Sequence, residues 1–95
     1  MITQDGDRLL LQGPVTIASV PALLEQACTL LAPGVTVLDF EGVTEADSAA
    51  VALALECLRE ARRRNISLSL ANLPEAMQHL AELYDVSELL QAGSA

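Results

Sequence analysis

The spacing of hydrophobic residues changes along the chain, and each change marks a predicted strand or helix. Val35–Phe40 is a short apolar run containing two valines, a threonine and a phenylalanine, which is typical of a buried strand. From Ser48 onward, apolar residues recur three and four positions apart, which predicts an amphipathic helix. Its apolar stripe consists of Val51, Ala54, Leu55, Leu58 and Ala61. The polar segment Glu41–Asp47 between strand and helix is predicted to be a loop.

The central helix is predicted to begin at Asp47 and Ser48. We call this junction between loop and helix the corner, and we interpret the other elements of the chain as its structural support. The first turn of a helix has unpaired backbone N–H groups and the positive end of the helix dipole. An aspartate or a serine there caps the helix, and a phosphate on that serine is held favourably at the same place. From the residues alone this junction is interpreted as a plain helix cap, and a serine that accepts phosphate or contacts a partner is the alternative.

The residues before this unit predict a β-hairpin. Asp5-Gly6-Asp7 is a turn sequence between the short runs Met1–Gln4 and Arg8–Leu11. Gly13-Pro14 is expected to end the second strand, because proline has no N–H to donate to a sheet.

Three further elements follow from the same patterns. A first helix runs from Val20 to Leu31, with Thr16 or Ser19 as its cap. Ile66–Leu70 alternates apolar residues with serine and predicts a strand. Glu75–Leu83 predicts a third helix. Its apolar stripe consists of Ala76, Met77, Leu80, Ala81 and Leu83–Tyr84.

The order of these elements predicts the fold class. Two strand–helix–strand crossovers imply parallel central strands with right-handed connections, and the hairpin adds an antiparallel edge. We expect an α/β fold bordering on α+β: an open mixed sheet of about four strands with helices packed against it. Residues 1–95 should form a single domain. Val86–Leu90 predicts a last short helical turn or a strand, and residues 93–95 a frayed end.

Charge and composition narrow the possible partners. The net charge is −8 and the chain contains no lysine, which argues against binding to nucleic acid or to anionic lipid. We expect an acidic domain of this size to bind a basic patch on another protein. The first eight residues lack the features of a signal peptide, and no stretch approaches the roughly 20 apolar residues of a membrane span. We therefore expect a cytoplasmic protein.

Few side chains suggest chemistry. Cys28 and Cys57 fit buried thiols in a reducing compartment, and a disulfide between two helix faces is the alternative. His79 has no second histidine or cysteine at ligand spacing, so a structural role at or near the surface is expected. Ser48 has no base near it in sequence to activate it. No phosphate-binding, dinucleotide or nucleophile-elbow motif is present. The sequence predicts neither an enzyme nor a cofactor.

Two charged runs have structural interpretations. The acidic residues Asp39, Glu41, Glu45 and Asp47 do not match the spacing of a calcium loop, so no metal site is predicted. Arg62-Arg63-Arg64 is interpreted as a solvated helix end, where cations favour the negative end of the dipole. A basic spot facing a partner is the second interpretation of this triplet. We also expect Glu60 and Arg64 to pair across one helical turn.

The chain resembles the STAS domain family over nearly its whole length. The resemblance rests on Leu38-Asp39-Phe40, Val43, the Asp47-Ser48 corner and the small-residue helix that follows. The family includes anti-sigma-factor antagonists and the cytoplasmic tails of sulfate transporters. In the antagonists, the corner reads Asp-Ser-Ser-Gly or Asp-Ser-Thr-Gly, and a partner kinase phosphorylates the first serine. Ala49 and Ala50 replace the second hydroxyl and the glycine here, which favours a constitutive docking face over a phosphorylation switch.

Within the family, one branch is the most similar. Ala49–Leu55 and the segment Leu80-Ala81-Glu82-Leu83-Tyr84-Asp85-Val86 look like the STAS subunit of the Mla phospholipid-trafficking ABC transporter. That subunit is a small cytoplasmic protein that binds the transporter's ATPase, and a hydroxyl residue at the helix start contributes to the contact. The resemblance implies a non-enzymatic accessory subunit of a phospholipid or toluene-tolerance transporter, peripheral to the inner membrane through its ATPase partner. Ser48 occupies the position of the hydroxyl residue.

We expect the exposed side of the central helix, with its small side chains, to supply the partner-binding residues around Ser48. These residues are Asp47, Ser48, Ala49, Ala52, Glu56 and Arg59. In the alternative function, the protein is an anti-sigma-factor antagonist whose Ser48 accepts phosphate from an anti-sigma serine kinase.

Overall fold

The computed structural model describes residues 1–86, which form a four-stranded sheet and three helices. The strands are β1 (Ile2–Asp5), β2 (Arg8–Val15), β3 (Val37–Ala46) and β4 (Ser69–Ala71), and the helices are α1 (Val20–Leu30), α2 (Ser48–Arg63) and α3 (Glu75–Leu83). The sheet order is β1-β2-β3-β4, with β1 antiparallel to β2 and the other pairs parallel. The predicted mixed sheet with an antiparallel edge is confirmed. Of the element predicted over Val86–Leu90 only Val86 is described, and the predicted frayed end lies outside the described residues.

One hydrophobic core lies between the sheet and the helices. Leu9 and Leu11 on β2 and Leu38 and Phe40 on β3 are buried, following the two-residue period of a strand. The buried side of α2 consists of Ala50, Val51, Leu53, Ala54, Cys57 and Ala61. The predicted stripe of α2 was therefore too narrow: it omitted three of these residues, and its Leu55 and Leu58 are only half-buried. The reason is that α2 contacts both α1 and α3, so a wide arc of the helix is covered.

The segment Glu41–Asp47, predicted as a loop, is strand up to its last residue. β3 begins at Val37 rather than Val35 and continues to Ala46, pairing with β2 along this length. Gly42 makes the pairing possible, because a Cβ atom there would lie 2.8 Å from the carbonyl oxygen of Leu11. The polar residues of the segment are mostly exposed, so their polarity reflects a solvated strand rather than a loop.

β2 continues through Gly13-Pro14, which the sequence predicted to end it. β1 covers β2 only up to Leu11, and the N–H of Gln12 donates to the Met1 carbonyl at 2.8 Å. Beyond that point β2 has β3 alone as a neighbour, so the missing N–H of Pro14 interrupts no hydrogen bonds to β1. Val15 then pairs with Ala46, and both strands end side by side.

The last strand and the third helix differ from prediction in detail. β4 covers only Ser69–Ala71 instead of Ile66–Leu70, because only these residues pair with β3. α3 has its predicted bounds, and Met77 and Ala81 are buried. Of the other residues in the predicted apolar stripe of α3, Leu80 is half-buried, whereas Ala76, Leu83 and Tyr84 are exposed. Ala76 and Leu83 lie about 100° or more around the helix from the Met77–Ala81 line, so they face away from the core.

The ends of α2 and α3 share one hydrogen-bond pattern. Asn65 and Asp85 both adopt φ of 58°, which turns the chain out of the helix. The N–H of Ile66 then donates to Ala61 at 2.8 Å, and that of Val86 donates to Ala81 at the same distance. Asn65 and Asp85 therefore end their helices in the same way.

Arg64 joins the ends of two helices. Its guanidinium donates to the carbonyl oxygens of Cys28 at 2.7 Å and Leu31 at 3.1 Å, at the negative end of α1. It also forms the predicted ion pair with Glu60, at 3.1 Å. The arginine triplet is therefore only partly a solvated helix end, because Arg64 has structural partners.

Asp39 is a buried charge that connects three strands. Its side chain on β3 accepts hydrogen bonds from Arg8 on β2 at 3.0 Å, from the Asn72 amide after β4 at 3.0 Å, and from the Glu41 N–H at 2.9 Å. Burial alone would raise the pKa of Asp39, but the hydrogen bonds from Asn72, Glu41 and Arg8 together outweigh it and lower the pKa below its ordinary value. The carboxylate is therefore charged and satisfied at neutral pH.

We expect Asp39→Asn to lower the free energy of unfolding at neutral pH by about 1–3 kcal/mol, because charge-assisted hydrogen bonds are lost at a buried site. A lowered pKa stabilises the fold above the unfolded value of 3.8, and this stabilisation disappears as the pH falls through the folded pKa. The difference between wild type and Asp39→Asn in urea denaturation should therefore shrink as the pH falls below about 4. A difference that stays constant down to the lowest pH measured would contradict the assignment.

Gly42→Ala should destabilise the protein by about 1–3 kcal/mol, because the new methyl group meets the Leu11 backbone and forces β2 and β3 apart. Gly34→Ala is the matched control, since no atom lies within 4 Å of a Cβ atom at that position. Thermal denaturation of both variants measures the difference. Equal melting temperatures would mean that the close approach of the two strands is not required.

Candidate functional site

The site is built where β2 and β3 end and α2 begins. The Asp47 side chain accepts a hydrogen bond from the Ala49 N–H at 2.8 Å, which makes it the N-cap of α2. Its second oxygen accepts a hydrogen bond from the Ile17 N–H at 3.0 Å. One carboxylate therefore caps the helix and fixes the loop that connects β2 to α1.

Hydrogen bonds of the Ser19 hydroxyl within the β2–α1 loop also hold this loop in place. The Ser19 hydroxyl accepts from the Thr16 N–H at 2.9 Å and donates to the Pro14 carbonyl at 2.9 Å. Ser19 is the N-cap residue of α1 by position, but its side chain makes no capping hydrogen bond to that helix. Of the two predicted caps, neither Thr16 nor Ser19 caps α1 with its side chain, because the serine hydroxyl is used to close the loop.

Ser48 is the first residue of α2 and is exposed. Asp47 has taken the capping role, and within residues 1–86 the Ser48 hydroxyl makes no hydrogen bond. Ala49 beside it is half-buried, and Ala52, one turn later, is exposed. The start of α2 therefore presents a hydroxyl group surrounded by small side chains.

The structure places the six predicted site residues in two groups. Ser48, Ala52 and Arg59 are exposed along one side of α2, and Glu56 lies beside them in an ion pair with Arg59. Asp47 and Ala49 are half-buried. The Asp47 carboxylate already accepts two backbone hydrogen bonds, so its role in the site is to hold the corner together.

Sequence reasoning missed Ile17 as a site residue. Its side chain is 79% exposed, although the Asp47 carboxylate holds its backbone next to the start of α2. The signal was an apolar residue in the short Thr16–Ser19 segment between a strand and a helix. A single exposed apolar residue is common on protein surfaces, so it is the hydrogen bond to Asp47, not the sequence, that places Ile17 beside the start of α2.

The remaining reactive side chains do not converge on this corner. Cys28 and Cys57 are free thiols, and burial raises the pKa of Cys57 to about 12, with nearby Cys28 and Glu56 adding to the effect. Cys57 is therefore a protonated core residue at neutral pH. His79 is exposed and lies 3.7 Å from Glu75 on the same helix. Among residues 1–86, no group of three or more histidine, cysteine, aspartate or glutamate side chains is placed to share a metal ion.

None of the helices formed by the described part of the chain combines the length and the apolar character needed to cross a membrane.

Fold and site together define a class of protein. A mixed sheet delivers two parallel strands to a helix start, and that helix start displays an exposed serine and small residues rather than converging catalytic groups. These features define a small α/β domain with an exposed helix start at one end of its sheet.

Comparison with known proteins identifies the family. A family model described as "Mlab, STAS domain" matches residues 2–91. The chain therefore belongs to the STAS domain family, as its sequence predicted. STAS domains mediate protein–protein interactions and are generally non-enzymatic binding modules. Among curated proteins, no sequence matches the chain.

Solved structures share the fold. The anti-sigma factor antagonist SpoIIAA in its unphosphorylated form has a TM-score of 0.63 and 19% identity, covering 87% of this chain and 81% of that chain. A sulfate transporter family protein from Wolinella succinogenes has a TM-score of 0.65 and 15% identity, covering 88% of this chain and 70% of that chain. The structure of Mglu has a TM-score of 0.55 and 26% identity, covering 79% of this chain but only 19% of that chain. The first two similarities concern the fold alone.

Asp47→Ala should lower the free energy of unfolding by about 1–2 kcal/mol, because α2 loses its cap and the Ile17 N–H loses its acceptor. Glu45→Ala is the control: it removes an exposed carboxylate from the same strand end without breaking a hydrogen bond described for residues 1–86. Urea denaturation followed by circular dichroism compares the two variants. If both lose the same stability, Asp47 does not organise the corner.

Proposed function

We propose that this protein is an accessory subunit of an ABC-type phospholipid transporter and docks on the transporter's ATPase through the start of α2. The observation that carries the proposal is the exposed Ser48 hydroxyl, which is not needed for capping because Asp47 performs that role. The match to the Mlab branch of the STAS family supports the class of partner.

The shape of the corner supports close contact with another protein. Ala49 and Ala52 have small side chains, so the backbone of a partner helix or loop can approach α2 closely. Ser48 can donate or accept one hydrogen bond within that contact. On this proposal residues 1–95 form one STAS domain without enzymatic activity, located in the cytoplasm and brought to the inner membrane by the ATPase.

A second function has one observation in its favour. The exposed Ser48 hydroxyl at a helix start suits a phosphate acceptor, as in an anti-sigma-factor antagonist regulated by a serine kinase. Ala49 argues against it, because it is partly exposed and stands where the antagonists have a second hydroxyl residue. Ala50, which stands where they have glycine, is fully buried and does not meet a partner. We therefore rank phosphorylation second to constitutive docking.

The test compares wild type with Ser48→Arg in pull-downs from native cell extract, with mass spectrometry of the bound proteins and of Ser48 itself. We expect wild type to recover an ABC-transporter ATPase and to carry no modification on Ser48. The long arginine side chain should block close approach and reduce recovery at least about tenfold, which corresponds to about 1.4 kcal/mol of binding energy.

Ser67→Arg is the matched control, because Ser67 is exposed and lies outside α2. It should recover the ATPase as wild type does, and thermal denaturation should show both variants folded. An unfolded Ser48→Arg protein would make Ser48 structural. Recovery of a serine kinase together with phosphorylated Ser48 would replace the transporter function with the anti-sigma one.

A further inference from the structure

The exposed face of α2 is one continuous surface. We define this α2 face as Ser48, Ala52, Arg59, Arg62 and Arg63, all of which are exposed. At 100° per residue they fall within an arc of about 100°, opposite the buried side of the helix. Ser48 and Arg63 lie about 22 Å apart along the axis. The face therefore extends the candidate site along the whole helix.

The exposed arginines of the protein are concentrated at the C-terminal end of the α2 face. The chain has five arginines and no lysine. Arg8 is bound to Asp39, and Arg64 is bound to carbonyl oxygens at the end of α1. The other three all lie on the α2 face, where Arg59 pairs with Glu56 and Arg63 with Glu60, and Arg62 has no ion-pair partner within residues 1–86. The end of α2 carries four arginines, counting Arg64, against Glu56 and Glu60, which leaves +2 on a chain whose total charge is −8.

Next to the N-terminal end of the α2 face, the β2–α1 loop carries an exposed apolar side chain. Ile17 is 79% exposed, and its backbone is fixed by the same Asp47 carboxylate that caps α2. Because the Ile17 backbone is already fixed, little backbone entropy is lost on binding, and burial of its apolar side chain against a partner is favourable.

We propose that the α2 face and Ile17 form one docking surface for an acidic protein surface, whose carboxylates face the three arginines and whose apolar pocket receives Ile17. The inference rests on the proposed function and specifies the chemistry of the partner's side of that contact. Charge complementarity favours a protein over an anionic membrane, because the net charge of −8 repels a continuous negative surface, whereas a partner can place its carboxylates opposite this end alone. For the α2 face, the proposed acidic partner therefore replaces the basic partner that we expected from the net charge of the whole chain.

The first test concerns charge. The purified ATPase subunit of the phospholipid transporter from the same organism is titrated with wild type and with Arg62→Gln/Arg63→Gln at several salt concentrations. We expect association with the double variant to be about three- to tenfold slower and less sensitive to salt. Thr3→Glu/Gln26→Glu changes the net charge by the same amount at exposed positions outside the α2 face, and should bind as wild type does.

The second test concerns the apolar contact. Ile17→Ala should weaken binding to the same ATPase at least about tenfold without lowering the melting temperature. Leu83→Ala is the matched control, because Leu83 is 74% exposed but lies on α3. Equal effects of the two substitutions would overturn the role of Ile17.

Failure of this inference and failure of the proposed function give different results. If Ser48→Arg abolishes ATPase binding while the arginine and Ile17 variants bind as wild type does, the docking surface is wrong and the proposed function stands. If wild type does not bind the ATPase, both are wrong. Arginine-dependent binding of wild type to phosphatidylglycerol vesicles, without ATPase binding, would overturn the inference in favour of a lipid surface.

Discussion

The Asp47 carboxylate is the interaction on which the candidate site depends. One oxygen accepts from the first turn of α2 and the other from Ile17 in the β2–α1 loop, so two segments distant in sequence are held by a single side chain. This arrangement has a consequence for Ser48. Because the cap is supplied from the preceding position, the Ser48 hydroxyl is left exposed.

The position of the Asp47-Ser48 corner is set by how far β2 and β3 pair with each other. Both strands continue beyond the points where glycine, proline and polar residues suggested an end, and they finish together at Val15 and Ala46. Gly42 allows the two strands to approach closely. Because β1 ends at the level of Leu11, the missing N–H of Pro14 removes no hydrogen bond to β1. At the opposite end of the same pair, Asp39 connects three strands through hydrogen bonds. The sheet is thus fixed at one end by a buried charge and at the other by the capping carboxylate.

Charge in this protein is divided between structural and surface roles. Arg8 and Arg64 have internal partners, and the remaining arginines lie on one face of α2. A total charge of −8 therefore conceals a locally basic surface. Membership of a family of protein-interaction modules gives this segregation a functional meaning, because complementary charge on a partner affects the rate and the specificity of association.

The sequence by itself determined the order of elements, the mixed sheet, the bounds of α3 and a capped helix start at Asp47-Ser48, because these follow from local periodicity and from the needs of a helix start. Which of the two residues caps α2 was decided by the structure. The sequence also placed Ser48 at the corner. Strand ends and helix faces were decided by tertiary structure: β3 extends because β2 lies beside it, and Leu83 is exposed because only one line of α3 meets the core. Ile17 joined the site for the same reason. Its position depends on a hydrogen bond across 30 residues, which no local pattern records.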